Sequence, residues 1–262
     1  MSIYESIILG LIQGLTEFIP ISSSGHLVVA QHFLSGASDH LFLEWINIGT
    51  MLALVVYFWK RIVKIIRDVV VGRELRLARN ILITVIPAGL VGFLAADFIN
   101  ATAFFVSVEV VIVMLILVGV VMIVLEKLPK ASELKNGTAL TIPRALVIGI
   151  AQMIALIPGT SRSGSTIIAG RLSGLSAKEA AEYSFLASIP IMAGVTLKVF
   201  IKDYEYLVAN LDTLIFANIA AFVSGLIAVG FLMRYLSRHS LAVFGWYRIA
   251  LAMVLIAVLL IQ

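Results

Sequence analysis

Two serine- and glycine-rich breaks decide how this chain folds: Pro20-Ile21-Ser22-Ser23-Ser24-Gly25 and Pro158-Gly159-Thr160-Ser161-Arg162-Ser163-Gly164. Each break lies near the middle of a long apolar stretch, residues 3–34 or residues 143–175. A helix over residues 24–34, the piece that follows the first break, would be about 16 Å long at a rise of 1.5 Å per residue. That is about half of a hydrocarbon layer of roughly 30 Å, so we predict that both stretches are re-entrant hairpins.

The composition indicates a membrane protein. Of the 262 residues, 61% are hydrophobic and only 13% are charged, whereas soluble domains have about 45–50% apolar and about 25% charged residues. We therefore expect one integral membrane domain over residues 1–262. No cysteine is present, which excludes disulfides and thiolate metal sites. The net charge of +4 does not indicate nucleic-acid binding, because the basic residues cluster beside apolar segments.

Six further apolar segments are long enough to cross the hydrocarbon layer, which takes about 20 residues of helix. We predict spans near residues 41–59, 80–99, 104–125, 178–200, 213–234 and 241–261. Residues 1–5 carry no basic side chain, so we expect no cleavable signal peptide. Lys and Arg concentrate in the loops 60–79 and 126–144, which the positive-inside rule places in the cytoplasm. The first hairpin would then enter from outside and the second from inside.

The sequence contains an internal repeat. A shift of 139 residues aligns Ser22 with Ser161 (22 + 139 = 161). The same shift aligns Gly10 with Gly149 and Gln13 with Gln152. We divide the chain into repeat 1, about 1–125, a cytoplasmic linker, about 126–142, and repeat 2, about 143–262. Each repeat would hold one hairpin and three spans, and this odd number of crossings predicts two halves of inverted topology. Broken helices from inverted repeats build polar sites near the middle of a membrane. The predicted fold class is an all-α polytopic bundle of six transmembrane helices and two hairpins.

Polar side chains gather at the two breaks. Gln13 and Glu17 share one helix face, because they are four residues apart. The other candidates are Ser22, Ser23, Ser24 and His26 in the first repeat, and Gly159, Ser161, Arg162, Ser163 and Thr166 in the second. The amides at the start of each half-helix favour anions, and an arginine fork suits phosphate oxygens. A carboxylate with an amide one turn away suits Mg²⁺. If the breaks meet, this set indicates phosphoryl chemistry on a membrane-embedded substrate.

The motifs resemble one family. Residues 13–26, Gln-Gly-Leu-Thr-Glu-Phe-Ile-Pro-Ile-Ser-Ser-Ser-Gly-His, are similar to the (Glu/Gln)-x-x-x-Glu region of the undecaprenyl-pyrophosphate phosphatase family, the bacitracin-resistance type. Residues 158–166, Pro-Gly-Thr-Ser-Arg-Ser-Gly-Ser-Thr, are similar to its second signature, Pro-Gly-x-Ser-Arg-Ser-x-x-Thr. Tyr247-Arg248 also looks like a family feature. The resemblance implies a phosphatase of the bacterial inner membrane. Such an enzyme converts a C55 isoprenoid pyrophosphate to the monophosphate carrier lipid of cell-wall synthesis.

The resemblance also implies residue roles. Gln13 and Glu17 would hold Mg²⁺ (or Ca²⁺) or position water, and Arg162 would clamp the pyrophosphate. The residues expected to help bind substrate are Ser22, Ser24, Gly159, Ser161, Ser163 and Thr166. We prefer Ser23 as the nucleophile with His26 as its base, since an unactivated serine needs an adjacent base. The reverse assignment, a phosphohistidine at His26, stays open. The site is expected to open to the periplasmic or outer face, and a homodimer is one allowed assembly.

Other interpretations of the same residues are structural or belong to a different function. Ser22, Ser24 and Ser163 could cap half-helices, and Gln13 could make an interhelical hydrogen bond. A transporter or lipid flippase is the alternative function, since it uses the same architecture. A second class of membrane phosphatase, with the signature Ser-Arg-x5-His-x3-Asp, is rejected because Ile168 occupies its histidine position. The sequence does not separate ion pairing from site support at Glu44, Glu179, Glu182 and Arg248.

Overall fold

The computed structural model describes residues 1–31, 33–34, 39–128 and 134–261. All regular structure in these ranges is helical, apart from one isolated β-bridge between Leu134 and Leu175. The helices are α1 Ile3–Phe18, α2 Ser23–Gln31, α3 His40–Tyr57, α4 Trp59–Val70, α5 Arg76–Leu94, α6 Ala96–Ala101, α7 Val108–Leu125, α8 Ile142–Ile154, α9 Arg162–Leu172, α10 Ala177–Lys202, α11 Tyr204–Ala209, α12 Leu211–Tyr235 and α13 Ala242–Ile261.

Six helices are long and apolar enough to cross a membrane, and they confirm the six predicted spans. They are α3, α5, α7, α10, α12 and α13. The largest difference is at α5, which covers 76–94 where the sequence predicted 80–99. The first turn of α5 is basic. Because basic side chains at a membrane surface keep their charges in water, a span predicted from apolar residues alone omits this turn. The chain continues into the separate short helix α6.

The two interrupted stretches form helix pairs, α1 with α2 and α8 with α9, and the members of each pair pack together. The first helix begins with a capping box, in which the Ser2 and Glu5 side chains bond each other's backbone amides. The breaks, at residues 19–22 and 155–161, overlap the predicted ones but lie slightly earlier, because residues 23–25 and 162–164 already belong to α2 and α9. At 9 and 11 residues, α2 and α9 are too short to cross a membrane. That each pair is a re-entrant hairpin stays a prediction.

The packing of the halves follows the predicted repeat. Helix α1 packs against α12, and its counterpart α8 packs against α5, the counterpart of α12. The pairs α3 with α10 and α7 with α13 each join equivalent helices across the two halves. Exchanging the halves therefore reproduces these contacts, although among the described residues α9 packs against α10 and their counterparts α2 and α3 do not pack comparably. The bounds of the repeats and their opposite orientation in a membrane stay predictions.

Helices α7 and α13 cross at a pair of glycines. A Cβ atom on Gly119 would lie 2.8 Å from the Gly245 carbonyl oxygen, and one on Gly245 would lie 2.5 Å from the Gly119 carbonyl oxygen. Small residues permit this approach, which is a common way to pack helices in lipid, where no hydrophobic effect draws them together. The crossing therefore holds α7 and α13, the last helices of the two halves, in close contact.

The basic loops gather at one end of the bundle. There Arg61 pairs with Glu182 at 3.0 Å and Arg171 with Glu126 at 3.7 Å, joining segments far apart in sequence. The predicted grouping of Lys and Arg on one side agrees with these contacts, although Lys130 lies outside the described residues. The opposite end carries the Lys198–Glu44 pair.

Gly245→Ala should destabilise the bundle, because the new methyl group would press on the Gly119 carbonyl. Overpacking of this kind costs about 1–3 kcal/mol. Thermal unfolding in detergent should show a lower midpoint for this variant than for wild type. Gly194→Ala is the matched control, because nothing lies within 4 Å of a Cβ built there. An equal midpoint for the two variants would contradict the close crossing.

Candidate active site

The two breaks meet inside the bundle. The Gly159 N–H of the second break donates to Ser24 Oγ of the first at 3.0 Å. The Arg162 guanidinium forms an ion pair with the Glu17 carboxylate. Glu17 and Arg162 are both largely buried, with side chains 13% and 21% exposed. The sequence-based prediction that a carboxylate-bearing segment and an arginine-bearing segment face each other is confirmed.

Each break turns through a serine in the left-handed region, Ser22 at φ 73° and Ser161 at φ 72°. These are the only non-glycine residues with positive φ among the residues described, and they are equivalent in the repeat. Each serine side chain then accepts from the glycine N–H three residues on, at 3.3 Å for Gly25 and 3.2 Å for Gly164. Such backbone is uncommon outside glycine, and it persists where the surroundings enforce it, often at functional sites. The capping serines are therefore Ser22 and Ser161.

Glu17 lies at the centre of a set of donors. One carboxylate oxygen, Oε1, accepts from Arg162, and the other, Oε2, accepts from Ser23 Oγ at 3.0 Å and from Gln13 Nε2 at 2.9 Å. Charge-assisted hydrogen bonds of this type are stronger than neutral ones. The arrangement holds Ser23 with its hydroxyl proton directed at a carboxylate, which is the geometry that a general base needs.

Gln13 orients Glu17 through its nitrogen. Nε2 of Gln13 donates to Glu17 and also, at 2.7 Å, to Asn47 Oδ1, while Asn47 Nδ2 donates to the Leu43 carbonyl at 3.0 Å. The carbonyl and the carboxylate at the two ends of this chain can only accept, so the direction of every bond is fixed. The Gln13 amide oxygen therefore does not face Glu17, and the residue predicted as a metal ligand acts here as a hydrogen-bond donor.

His26 is bonded away from Ser23, contrary to the preferred sequence-based interpretation. Its Nδ1 donates to the Ser22 carbonyl at 2.7 Å, and its Nε2 lies 2.7 Å from the Tyr247 hydroxyl. Because the carbonyl can only accept, Nδ1 carries a proton, and a neutral ring then accepts from Tyr247 at Nε2. The predicted pairing of Ser23 with His26 is therefore replaced by Ser23 with Glu17. His26 fixes the backbone of the first break.

A cavity of about 260 Å³ lies between the breaks. Its lining residues are Glu17, Ser22, Ser23, Ser24, Ala155, Leu156, Ile157, Pro158, Ser161 and Arg162. Several of them are equivalent in the repeat: the shift of 139 residues takes Glu17 to Leu156 (17 + 139 = 156) and Ser23 to Arg162 (23 + 139 = 162). The cavity therefore straddles the boundary between the halves, and equivalent positions in its wall carry different chemistry.

Three residues predicted to bind substrate are not in the cavity wall. Thr166 is 1% exposed and donates to the Arg162 carbonyl at 2.8 Å, with Ser184 Oγ at 2.5 Å. Ser163 pairs with Ser161 Oγ at 3.2 Å. The Gly159 amide is bonded to Ser24. In this structure the three residues make hydrogen bonds within and beside the second break, outside the cavity wall. Their contact with a substrate stays a prediction.

Arg248 ties the two breaks together. It is 0% exposed, and its Nη2 donates to the Gly159 carbonyl at 2.5 Å and to the Thr160 carbonyl at 3.2 Å. Its Nη1 donates to the Pro20 carbonyl of the first break at 3.4 Å. Within the described ranges no carboxylate pairs with it. The sequence left this residue unassigned, although an arginine inside an apolar span is costly and seldom without a role.

Arg248 also locates the site along the bundle. Its remaining bonds go to α7, to the carbonyls of Met114 at 3.2 Å and Leu115 at 3.4 Å. Both residues lie near the middle of α7, which runs from Val108 to Leu125. The breaks therefore lie level with the middle of α7, which is the most apolar of the candidate spans.

The described residues offer a single carboxylate to a metal ion at this site. No group of three or more His, Cys, Asp or Glu side chains that could hold a metal is found among them. Mg²⁺ is often held by one or two carboxylates together with phosphate oxygens of a substrate. Glu17 fits that role once a phosphate has drawn Arg162 away from it, so the donor set suits an ion that arrives with a phosphorylated ligand.

Fold and cavity together define a polytopic membrane protein with a largely buried carboxylate–hydroxyl–guanidinium cluster in a cavity. The sequence profile of the family described as bacitracin resistance protein BacA matches residues 6–254. The chain belongs to this family.

Curated relatives match over nearly their whole lengths. The undecaprenyl-diphosphatase of Desulfitobacterium hafniense is 37% identical, over 98% of this chain and 95% of the relative. Undecaprenyl-diphosphatase 3 of Acinetobacter baylyi is 37% identical, over 98% of each chain. Undecaprenyl-diphosphatase 1 of Clostridioides difficile is 37% identical, over 98% of this chain and 96% of the relative.

Arg248→Met should loosen both breaks, because buried carbonyls that lose their donor cost about 1–3 kcal/mol each. We expect a lower unfolding midpoint and faster hydrogen exchange at residues 19–25 and 155–161. Arg248→Lys should be intermediate, since an ammonium keeps the charge but lacks the planar fork. Arg234→Met, at an exposed position on α12, is the control and should exchange like wild type. Unchanged exchange at both breaks in Arg248→Met would refute the proposed tie.

Proposed function

We infer that this protein is an integral membrane phosphatase that hydrolyses undecaprenyl pyrophosphate to undecaprenyl monophosphate and inorganic phosphate. Its family and the names of its relatives support this activity. The observation that carries the mechanism is the Ser23 hydroxyl, bonded to the Glu17 carboxylate at 3.0 Å in a cavity that also contains Arg162. A carrier or flippase needs no hydroxyl paired with a base, so this geometry favours hydrolysis.

The cavity is large enough for only one part of the substrate. A volume of about 260 Å³ accommodates a pyrophosphate group but not a long isoprenoid chain. Apolar lining from Ala155 to Pro158 continues the cavity toward lipid, and the outward sides of the spans are rich in exposed apolar side chains. The pyrophosphate would occupy the cavity while the polyprenyl chain stays among the acyl chains.

Binding of the pyrophosphate would rearrange one ion pair. Arg162, paired with Glu17 in the free protein, would turn its guanidinium fork to the terminal phosphoryl oxygens, which it suits better than an ammonium would. Oε1 of Glu17 then loses its cationic partner, while Oε2 keeps its hydrogen bond to the Ser23 hydroxyl. Substrate binding would thereby free one carboxylate oxygen for a divalent cation and leave the other to accept the Ser23 proton.

The reaction then proceeds in two displacements. Ser23 Oγ transfers its proton to Glu17 and forms a bond to the terminal phosphorus, while the bond from that phosphorus to the bridging oxygen breaks. The lipid leaves as its monophosphate. Water next attacks the phosphoserine, the bond from phosphorus to Oγ breaks, and phosphate leaves as Ser23 regains a proton. The alternative phosphohistidine would have to form at His26 Nε2, which is bonded to Tyr247.

A divalent cation, Mg²⁺ or Ca²⁺, is part of the proposal. It would be held by Glu17 and the substrate oxygens, with Gln13 keeping the carboxylate in place through its amide nitrogen. When bound, such an ion neutralises charge on the pyrophosphate and its products.

Phosphate release from undecaprenyl or farnesyl pyrophosphate by the purified protein tests the activity. Ser23→Ala, Glu17→Gln and Arg162→Ala should each lower the rate, by about 10²–10⁴-fold where a general base or its partner is removed. Removal of divalent cations with a chelator should also lower it. Ser165→Ala is the matched control, since Ser165 belongs to the same segment but lies outside the cavity wall. Full activity of a folded Arg162→Ala variant would show that Arg162 does not bind the pyrophosphate as proposed.

Rapid quenching with substrate labelled in the terminal phosphate would identify the nucleophile. Label recovered on Ser23 supports the serine mechanism. Label on His26 would overturn that assignment while leaving the phosphatase activity intact.

We also propose that the site opens to the outer, periplasm-like side of the bacterial inner membrane. The basic loops gather at the end of the bundle that the positive-inside rule places in the cytoplasm, so a cavity open toward the other end would face the outer side. Since the chain has no cysteine, a single introduced thiol reports its own exposure. In intact cells, an impermeant maleimide should label Ala155→Cys in the cavity but not Lys64→Cys at the basic end. The reverse pattern would place the site on the cytoplasmic side. The homodimer stays a prediction.

A further inference from the structure

Helix α4 is amphipathic along its whole length. Its exposed apolar side chains are Trp59, Val63, Ile66 and Val70, which follow the spacing of one helix face. Lys60, Lys64 and Arg67 are exposed on the other side. None of the residues of α4 is buried in the bundle. The apolar face therefore contacts something other than the described part of this chain.

The position of α4 indicates what covers this face. The helix follows the span α3 directly at Phe58, at the end of the bundle where the basic loops gather. Its 12 residues make a helix of about 18 Å, too short to cross a hydrocarbon layer of roughly 30 Å. A short helix with one apolar and one basic face lies in the plane of a membrane surface, with its apolar side among the acyl chains.

A cleft of about 470 Å³ lies beside the basic side of α4. The charged side chains that line it are Arg61, Lys64, Asp68, Glu74, Arg76 and Lys135. Four of these are basic and two acidic, and Arg61 is already paired with Glu182 at 3.0 Å. Among the described residues, no ion pair is found for Lys64, Arg76 or Lys135. The cleft therefore has cationic groups available for an anion.

We propose that α4 and this cleft bind the headgroup of an anionic phospholipid in the same leaflet, at a site separate from the cavity between the breaks. The cleft would take the phosphate, and the apolar face of α4 would contact the acyl chains. The α4 residues that line the cleft, Arg61, Lys64, Ile65 and Asp68, lie on the opposite side of the helix from its apolar face. With the apolar face among the acyl chains, the cleft faces the headgroup layer, and this argues for a lipid headgroup over a free anion. A second copy of the chain would bring like charges together on the basic side of α4, which is unfavourable. The site would attach the basic end of the bundle to a charged membrane surface.

Fluorescence quenching of Trp59 tests the proposal in the intact chain. The protein has three tryptophans, so Trp45→Phe with Trp246→Phe leaves Trp59 as the only one. The variant is reconstituted in phosphatidylcholine vesicles containing an equal fraction of brominated phosphatidylglycerol or brominated phosphatidylcholine. Both lipids should quench Trp59, and the anionic one should quench more strongly. Each basic side chain near a charged surface adds roughly fivefold to the affinity.

Charge removal then separates the cleft from the general basic surface. Lys64→Gln, Arg76→Gln and Lys135→Gln together should abolish the excess quenching by phosphatidylglycerol. The matched control removes three charges elsewhere at the same end, through Lys127→Gln, Arg234→Gln and Arg238→Gln, and should retain the excess. Phosphate release in detergent should be unchanged in both triple variants, so failure here is distinguishable from failure of the proposed activity.

Three outcomes would overturn the proposal. Equal quenching by the two brominated lipids would show that no anionic headgroup is selected. Absence of quenching by either lipid would show that α4 does not lie in the bilayer. Excess quenching that survives in the cleft variant would place the anionic lipid somewhere other than the cleft.

Discussion

A helix that stops inside an apolar bundle leaves buried backbone carbonyls without partners, and the rest of this structure depends on how that constraint is met. Arg248 meets it for both breaks at once, because a planar guanidinium with five N–H groups reaches Pro20, Gly159 and Thr160 together. Its charge is spread over carbonyl dipoles instead of being paired with an acid. The breaks can thus stay open as loops level with the middle of α7, and Ser23 directly follows one of them.

The ion pair between Glu17 and Arg162 serves the protein when no substrate is present. A carboxylate and a guanidinium buried separately would each be costly in lipid, and together they largely neutralise one another. In the proposed mechanism, the same pairing holds Glu17 until a phosphate group competes for Arg162. One contact, between residues 145 positions apart, would then both stabilise the buried site and favour a phosphorylated ligand.

The sequence was most informative where a pattern is local. Six spans, two breaks and the meeting of Glu17 with Arg162 followed from apolar length, Ser/Gly composition and the repeat, and the structure bears them out. The partner of Ser23 could not be predicted, since which of two neighbours receives a hydroxyl depends on the rotation of α2 against α1. The role of Arg248 was equally hidden, because its partners are backbone carbonyls, which every residue carries. Thr166 matched a motif yet faces away from the cavity, which only packing against Ser184 determines.

The repeat has a consequence for how such a site can arise. Equivalent positions around the cavity hold Glu17 opposite Leu156 and Ser23 opposite Arg162. Two identical halves would place either two acids or two leucines there, and either two serines or two arginines. None of these arrangements yields a glutamate, a serine and an arginine at the positions of Glu17, Ser23 and Arg162. A duplicated ancestor with identical halves could have possessed this architecture, but the chemistry requires that its copies diverge at these positions.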